Sequence, residues 1–470
     1  MPSGTRRVVV VGGGIAGLTA ALDLHDRLGS STEIVVVEGA RYAGGKLRTG
    51  TIGGRQVETG AETFLARAAD DPSGAPSEAV LLAHRLGLAE ALRHPATTAA
   101  GILVEGELRA MPAGTLMGVP ANASTLDGPW GSADRPDADL GRPVLDRGQD
   151  RSVGALVRER VGDAVVDRLV DPLLGGVYAG RADDLSIATT MPGLAAACRQ
   201  ENTLAGAVRA ALSRRSTTPG PPFATIDGGL SRFVDTIVAA LPAGSVRLGL
   251  PVRELAERGD GWRLTIGSTR DPEELNADAV VLAAPSRPAA RLLAAVSPEA
   301  ATAVGALDYA SIGLVTFVLP AGALDGTALD GRSGALVPAV EGHLIKAVTV
   351  FSTKWAEQPD GAVLLRCSIG RYGDESALQH SDDELVALVA ADLAMIVGRS
   401  LPVPIASSVT RWGGALPQYA PGHLDRVATA RAAVPPTVAL AGAAYDGVGI
   451  PLCITSGRAA AARIIDGWGE

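Results

Sequence analysis

Residues 7–38 read "RVVVVGGGIAGLTAALDLHDRLGSSTEIVVVE". Four valines in a row are a strand buried on both faces, as in a parallel sheet. The glycines follow at once, as Gly12-x-Gly14-x-x-Gly17. Leu18, Ala21, Leu22 and Leu28 then recur at helical spacing. "TEIVVVE" is a second buried strand, ending at Glu38. Each part has a physical task. Gly12 permits a sharp turn, Gly14 lets a pyrophosphate approach the backbone, and Gly17 lets helix and strand pack closely. The helix N-terminus offers free N–H groups and partial positive charge to phosphates. Glu38, 21 positions after Gly17, stands where an acid binds ribose hydroxyls. The expectation is a dinucleotide site holding Gly12, Gly13, Gly14, Ile15, Ala16, Gly17 and Glu38.

Outward from this stretch, composition sets bounds. The chain has 470 residues, 47% hydrophobic and 20% charged, enough for two or three domains. Net charge is −9 and no long basic run occurs, which argues against nucleic acid as a partner. Three cysteines, Cys198, Cys367 and Cys453, lie far apart without a CxxC, so reduced thiols and a cytoplasmic address are expected. No apolar run reaches a membrane-spanning length of about 18 residues. The start lacks the long apolar core of a signal peptide. The sequon at Asn122 is then a chance match. No Ser-His-Asp or metal-ligand spacing is found.

Helices are expected as a pair over 77–93, through 152–180, over 194–213, and after an N-cap at Ser381. "GILVEGELRAMP" (101–112) reads as a hairpin, and "SIGLVTFVL", "IKAVTVF" and "AVLLRCSIG" as strands of an antiparallel sheet. Residues 120–150, rich in Pro, Gly and Asp, read as a solvated loop or loosely ordered lobe. The C-terminal "LAGAAYDGVGIPLCI" (440–454) repeats strand, glycine turn, helix. That turn would close the nucleotide domain opened at residue 7, with a helix end at Val448, Gly449 and Ile450 aimed at the cofactor.

A second glycine pair, Gly44-Gly45 in "GARYAGGKLRT", followed by "VETGAETFLAR" (57–67), resembles flavin oxidases of the amine oxidase superfamily. More specifically, the chain resembles bacterial porphyrinogen oxidases, the coproporphyrinogen III and protoporphyrinogen IX oxidase family. The stretches that carry this are "MPAGTLMGVP", "DPLLGGVYAGRADDLS", "DGGLSRF", "STKW", "ALPQY" and the C-terminal turn. "GGVYAGRADDLS" discriminates best against general amine oxidases.

The resemblance implies an α/β (α+β overall) fold: a discontinuous Rossmann-like FAD-binding domain with an inserted sheet-containing substrate domain and a helical domain. On this sequence the FAD-binding domain would occupy 1–80, 216–290 and 406–470. The substrate domain would occupy 81–115 and 291–405, and the helical domain 116–215. One non-covalent FAD per chain would touch Gly39, Gly45, Lys46, Gly60, Ala61, Glu62, Thr63, Val252, Trp412, Val448, Gly449 and Ile450, beside the residues named above. Read alone, Val252 and Trp412 would be core residues.

The implied chemistry is three rounds of two-electron oxidation of a porphyrinogen, with O2 as acceptor and H2O2 released, in haem biosynthesis. The flavin carries this chemistry, so no catalytic side chain is assigned. Porphyrinogens bear propionates, which makes Arg67, Arg181 and Lys354 candidate anion partners and Tyr178 a candidate wall. Coproporphyrinogen III, with four carboxylates, suits a chain lacking a membrane span. Protoporphyrinogen IX is the alternative, as are another amine-oxidase-like flavoenzyme and a non-catalytic porphyrin-binding flavoprotein. A ferrochelatase is an implied partner, with weak membrane contact at the cytoplasmic face. Leu452 stands where many relatives carry an acid ("GIPDCI").

Overall fold

The structure is a computed structural model that describes residues 6–68, 71–126, 128–131, 137–214, 220–356 and 360–468. At its centre is a five-stranded sheet, parallel throughout, in the order Val246–Arg247, Thr32–Val37, Arg6–Val11, Ala279–Leu282, Val438–Leu440. Its strands come from three distant parts of the chain. The valine run is the middle strand, and its side chains alternate between two cores. Val8 and Val10 pack under helix Ile15–Leu28, helix Leu230–Ala240 and the final helix Ile450–Gly467. Val9 and Val11 pack against a three-stranded antiparallel sheet (252–277) and helices Ser286–Leu293, Pro298–Gly305 and His423–Ala433. Burial on both faces is why the strand is apolar without alternation.

The first and last helices are locked by one small residue. A Cβ at Gly457 would stand 2.2 Å from the Ala16 carbonyl oxygen. The C-terminal helix is thereby held directly over the first turn of the N-terminal one.

A seven-stranded sheet lies beside this unit. Its order is Ala406–Pro417, Tyr309–Leu319, Val363–Ile369, Ile345–Val350, Gly334–Leu336, Ala100–Val104, Glu107–Ala110. One pair is parallel, Gly334–Leu336 with Ala100–Val104, and the others are antiparallel. One face is covered by helix Asp382–Val397, whose N-terminus carries a complete capping box between Ser381 and Glu384. Over the other face lies a helical layer from residues 153–213, with its own core.

Three expectations are corrected. Residues 77–93 form one helix, Glu78–Arg85, then a 3-10 turn and a short strand, because Leu92–Arg93 pairs with Phe223–Ile226. The 194–213 helix is two, Pro192–Cys198 and Leu204–Ser213, the second started by the Thr203 hydroxyl on the Gly206 N–H. The described part of 120–150 is no solvated loop. Leu126, Trp130, Val144 and Leu145 are buried in the helical core, and the Asp137 carboxylate accepts from Leu204 N and Ala205 N. Residues 127 and 132–136 of that stretch lie outside the described residues. Among the described residues, no helix is long and apolar enough to cross a membrane.

Candidate functional site

The opening strand, its glycine turn and the final helix meet around a cavity of about 580 Å³, within the usual range for ligand sites. Gly12, Gly14, Ile15, Ala16, Glu38 and Gly39 line one part of it; Val448, Gly449 and Ile450 line another. Gly45, Lys46, Ala61, Thr63 and Val252 lie in its wall.

The three glycines of the first turn are needed for different reasons. Gly12 sits at φ +112°, and a Cβ there would lie 2.7 Å from the Ala283 carbonyl oxygen. At Gly17 a Cβ would lie 2.0 Å from the Gly12 carbonyl oxygen, so this glycine serves close packing. Gly14 is different. Its φ of −72° suits any residue, yet nothing lies within 4 Å of its missing side chain, which would project into open space. It is also the N-cap of helix Ile15–Leu28 and supplies no side-chain cap. The first-turn N–H groups are therefore left for a ligand.

Glu38 is fixed by backbone. Its Oε2 accepts from Gly13 N and its Oε1 from Ala40 N, both at 2.7 Å. Each oxygen keeps a lone pair for a further donor. The second glycine turn abuts the first: Gly44 N donates to the Gly13 carbonyl at 2.7 Å, and Gly14 and Gly44 form a parallel bridge. Lys46 enters the cavity wall from this turn, and burial pushes its pKa down.

At the far part of the cavity the final helix begins at Gly449 (φ +124°), again without a side-chain cap and with proline in its first turn. Two uncapped helix N-termini thus border one cavity, and both favour negative charge. These groups fit a dinucleotide with its phosphates at Gly14–Ala16, a ribose at Glu38 and an electron-accepting ring toward 448–450. Leu452 is 43% exposed and lies over Gly447, outside the cavity lining.

The segment 60–63 is a partition. Ala61 and Thr63 line the large cavity, while Glu62 lines a second one of about 150 Å³ on the other side. Glu62 is 8% exposed. Its Oε1 accepts from Lys354 Nζ at 2.7 Å and Trp355 Nε1 at 3.2 Å, and its Oε2 from Arg366 Nη2 at 3.2 Å. Arg366 also donates to the carbonyls of Glu58 and Gly60. Burial pushes the nearby Glu58 carboxyl up, although Leu230 N and the Thr49 hydroxyl hold its Oε1. Trp412 supports this partition from behind. Its Nε1 donates to the Thr59 carbonyl at 2.7 Å, and its ring stands 3.2 Å from a Gly60 Cβ position that the Lys46 carbonyl oxygen already blocks at 2.1 Å. The indole is thus packed on Gly60 and is outside the cavity lining.

The four candidate substrate residues are not brought together. Lys354 is committed to Glu62. Arg181 pairs with Asp171 at 3.2 Å. Arg67 lies against Gly220. Tyr178 packs edge-on against Tyr419, with ring centroids 5.7 Å apart, and burial pushes its pKa up to about 12. Tyr309, Leu416, Ala443 and Cys453 also line the large cavity and were not read from sequence. Neither were Lys346, Arg366 and Arg371. For the first two a signal existed: a lone cation inside an apolar strand, in "IKAVTV" and "LLRCSI". Among the described residues no group of His, Cys, Asp or Glu could hold a metal ion.

Comparison with known proteins bears on this arrangement. The family model described as "Flavin containing amine oxidoreductase" matches residues 15–465. The coproporphyrinogen III oxidase of Mycobacterium tuberculosis is 39% identical over 469 residues, covering 98% of each chain. That of Bacillus subtilis is 31% identical over 487 residues, again 98% of each. Among solved structures, the Exiguobacterium sp. 255-15 protein named "Putative protoporphyrinogen oxidase" superposes with a TM-score of 0.82 at 29% identity, over 99% of this chain and 100% of that one. Cyclohexylamine oxidase from Brevibacterium oxydans shares the fold at a TM-score of 0.68 and 18% identity.

Proposed function

From the premise that the chain belongs to the flavin-containing amine oxidoreductase family, we propose that it oxidises coproporphyrinogen III to coproporphyrin III. It is an FAD-dependent oxidoreductase. The end-to-end correspondence with coproporphyrinogen III oxidases, at 39% identity, carries the reading. The reaction removes six hydrogens in three two-electron rounds, each consuming one O2 and releasing one H2O2. FAD, when bound, supplies the two-electron acceptor and the route to O2.

The chain's own residues bind, orient and exclude water. The amides of Gly14, Ile15 and Ala16 would hold the pyrophosphate, and the Glu38 carboxylate, held by two amides, would accept from ribose hydroxyls. The helix end at Val448–Ile450 would favour negative charge at the redox end. Glu62, clamped by Lys354, Trp355 and Arg366, fixes the partition between the cavities. With the acceptor supplied, positioning is the protein's main task. We further place the enzyme in the cytoplasm, touching a membrane surface at most peripherally, and passing its product to a ferrochelatase.

The test is turnover by the purified holoenzyme of coproporphyrinogen III beside protoporphyrinogen IX, with porphyrin fluorescence and peroxide both followed. The expected result is higher kcat/KM for coproporphyrinogen III and one peroxide per two-electron step. A flavin-loaded protein that oxidises neither compound sinks the reading.

A further inference from the structure

Strand Ile345–Val350 carries a lysine in its interior, and the sheet is irregular at that point. Against the neighbouring strand Val363–Ile369, Ile345 pairs with Ile369 and Ala347 with Ser368. Lys346 is therefore the extra residue of a β-bulge. Bulges re-aim single side chains and recur beside active sites. Ile345, Val348 and Val350 all pack into the core under helix Asp382–Val397. The bulge takes Lys346 out of that alternation. Its charged neighbours are Arg366 and Arg371. Arg366 lies between Leu365 and Cys367, which face the core, and so belongs to the opposite face. Helix Asp171–Tyr178 crosses this face, with a Gly176 Cβ position 3.0 Å from Leu336.

Lys346 is 5% exposed and, among the described residues, its side chain makes no hydrogen bond or ion pair. Its ammonium is not fully sealed from solvent. Nearby cations are otherwise engaged. Arg366 and Lys354 share Glu62, and Arg181 pairs with Asp171. Arg371 donates to the Val337 carbonyl at 3.0 Å, and the Val337 N–H donates to the Lys346 carbonyl at 2.9 Å. The Val337 backbone thus links the Arg371 side chain to the Lys346 main chain. Burial and the two guanidinium groups push the lysine pKa down to about 7. A buried ammonium without a counter-ion is costly to the fold. A place for a ligand's negative charge accounts for it, and the desolvation of the site has been met before the ligand arrives.

We propose that Lys346, with Arg371 beside it, is the anchor for a propionate carboxylate of the porphyrinogen. The inference rests on the function proposed above and adds the residue that holds the substrate's charge.

The probe is coproporphyrin III, titrated into holoenzyme by fluorescence. Replacing a charge-assisted hydrogen bond in Lys346→Met or Lys346→Gln should weaken its Kd by about 10- to 100-fold. KM for coproporphyrinogen III should rise by a similar factor and kcat at saturation should change far less. Lys346→Arg, which keeps the charge, should recover most of the loss. Flavin content and melting temperature report that each variant is folded. Unchanged Kd and KM in both neutral variants, in an active wild-type background, overturn the anchor and leave the proposed function standing. A fall in kcat with KM unchanged also overturns it, because that places the lysine at the reacting centre. A wild type that neither binds the porphyrin nor oxidises its porphyrinogen sinks the proposed function itself.

Discussion

The two charged regions of this molecule are built in opposite ways. The large cavity receives negative charge with backbone: uncapped helix ends at Gly14 and Gly449, and glycines that let a ligand come close. The sheet face beside it uses side chains, with Lys346, Lys354, Arg366 and Arg371 set around Glu62 and the Val337 peptide. Orphan amides at a helix end exist in every helix and cost the fold little. Buried ammonium and guanidinium groups must each find compensation. The first region is therefore tolerant in its fold and strict toward its ligand. The second is strict in both.

The largest expected effect tests the backbone half. At Gly14 the φ of −72° accepts any residue and the Cβ direction is open. Gly14→Val should fold and yet exclude the pyrophosphate, leaving purified protein with less than about a tenth of the wild-type flavin. Flavin absorbance per protein and the melting curve check this together. A Gly14→Val protein that retains its flavin would show that the cavity is not held from this turn.

The next effect tests the side-chain half. Arg366 is largely buried, its side chain 11% exposed, and it shares Glu62 with Lys354. Arg366→Met strips Glu62 of one cation and the Glu58 and Gly60 carbonyls of a donor, and should cost about 3–5 kcal/mol. The double variant Glu62→Gln/Arg366→Met should recover part of that, because the loss comes from charge left unpaired. Denaturant midpoints measure both. Equal losses in single and double variants would mean that packing, not charge, sets the cost.

These halves differ equally in how they could be read. The turn at 7–38 is contiguous, so strand, glycine spacing and terminal acid stand in one window. The final helix was legible because "AGAAYDGVGI" repeats the same local pattern. The sheet face joins residues 62, 346, 354, 366 and 371, and no local pattern links them. Lys354 was singled out as a substrate residue, yet it is held by Glu62, about 290 positions earlier. Trp412 is expected beside the cofactor from its neighbourhood in sequence, and its contacts here are with Thr59 and Gly60. The 120–150 stretch failed for a related reason. Its buried large apolar residues, Leu126, Trp130, Val144 and Leu145, are spaced by no regular period, and tertiary packing alone buries them.

A third prediction concerns pH and Lys346. Its folded-state pKa is about 7 against 10.5 for the free side chain, with burial as the main cause and Arg371 and Arg366 adding to it. Arg371 in turn faces Asp171, Arg181, Asp374 and Asp392. Below pH 7 both states carry the proton, and above 10.5 neither does. Between them only the unfolded chain binds it, so stability rises with pH across that window. Measured against Lys346→Met, which cancels other titrations, wild type should gain about 3–4 kcal/mol from pH 7 to pH 10. A flat difference would show that the ammonium is paired after all. Coproporphyrin III at saturation should reduce the gain, since a bound carboxylate favours the charged lysine.

The smallest effect returns to the backbone half and asks whether side chains matter there at all. Leu452 stands in the first turn of the final helix, 43% exposed and against Gly447. Leu452→Asp adds an acid beside a positive helix end and should stabilise the protein by about 0.3–1 kcal/mol at low salt. Flavin content should stay at wild-type level, because the cavity lining at 448–450 is unchanged and residue 452 lies outside it. The acid also offsets part of the positive charge at the redox end, so the flavin reduction potential should fall slightly. High salt should weaken the stability gain. A Leu452→Asp protein that loses flavin would mean that this helix end depends on its side chains, and the contrast between the two regions would then hold only for the N-terminal turn.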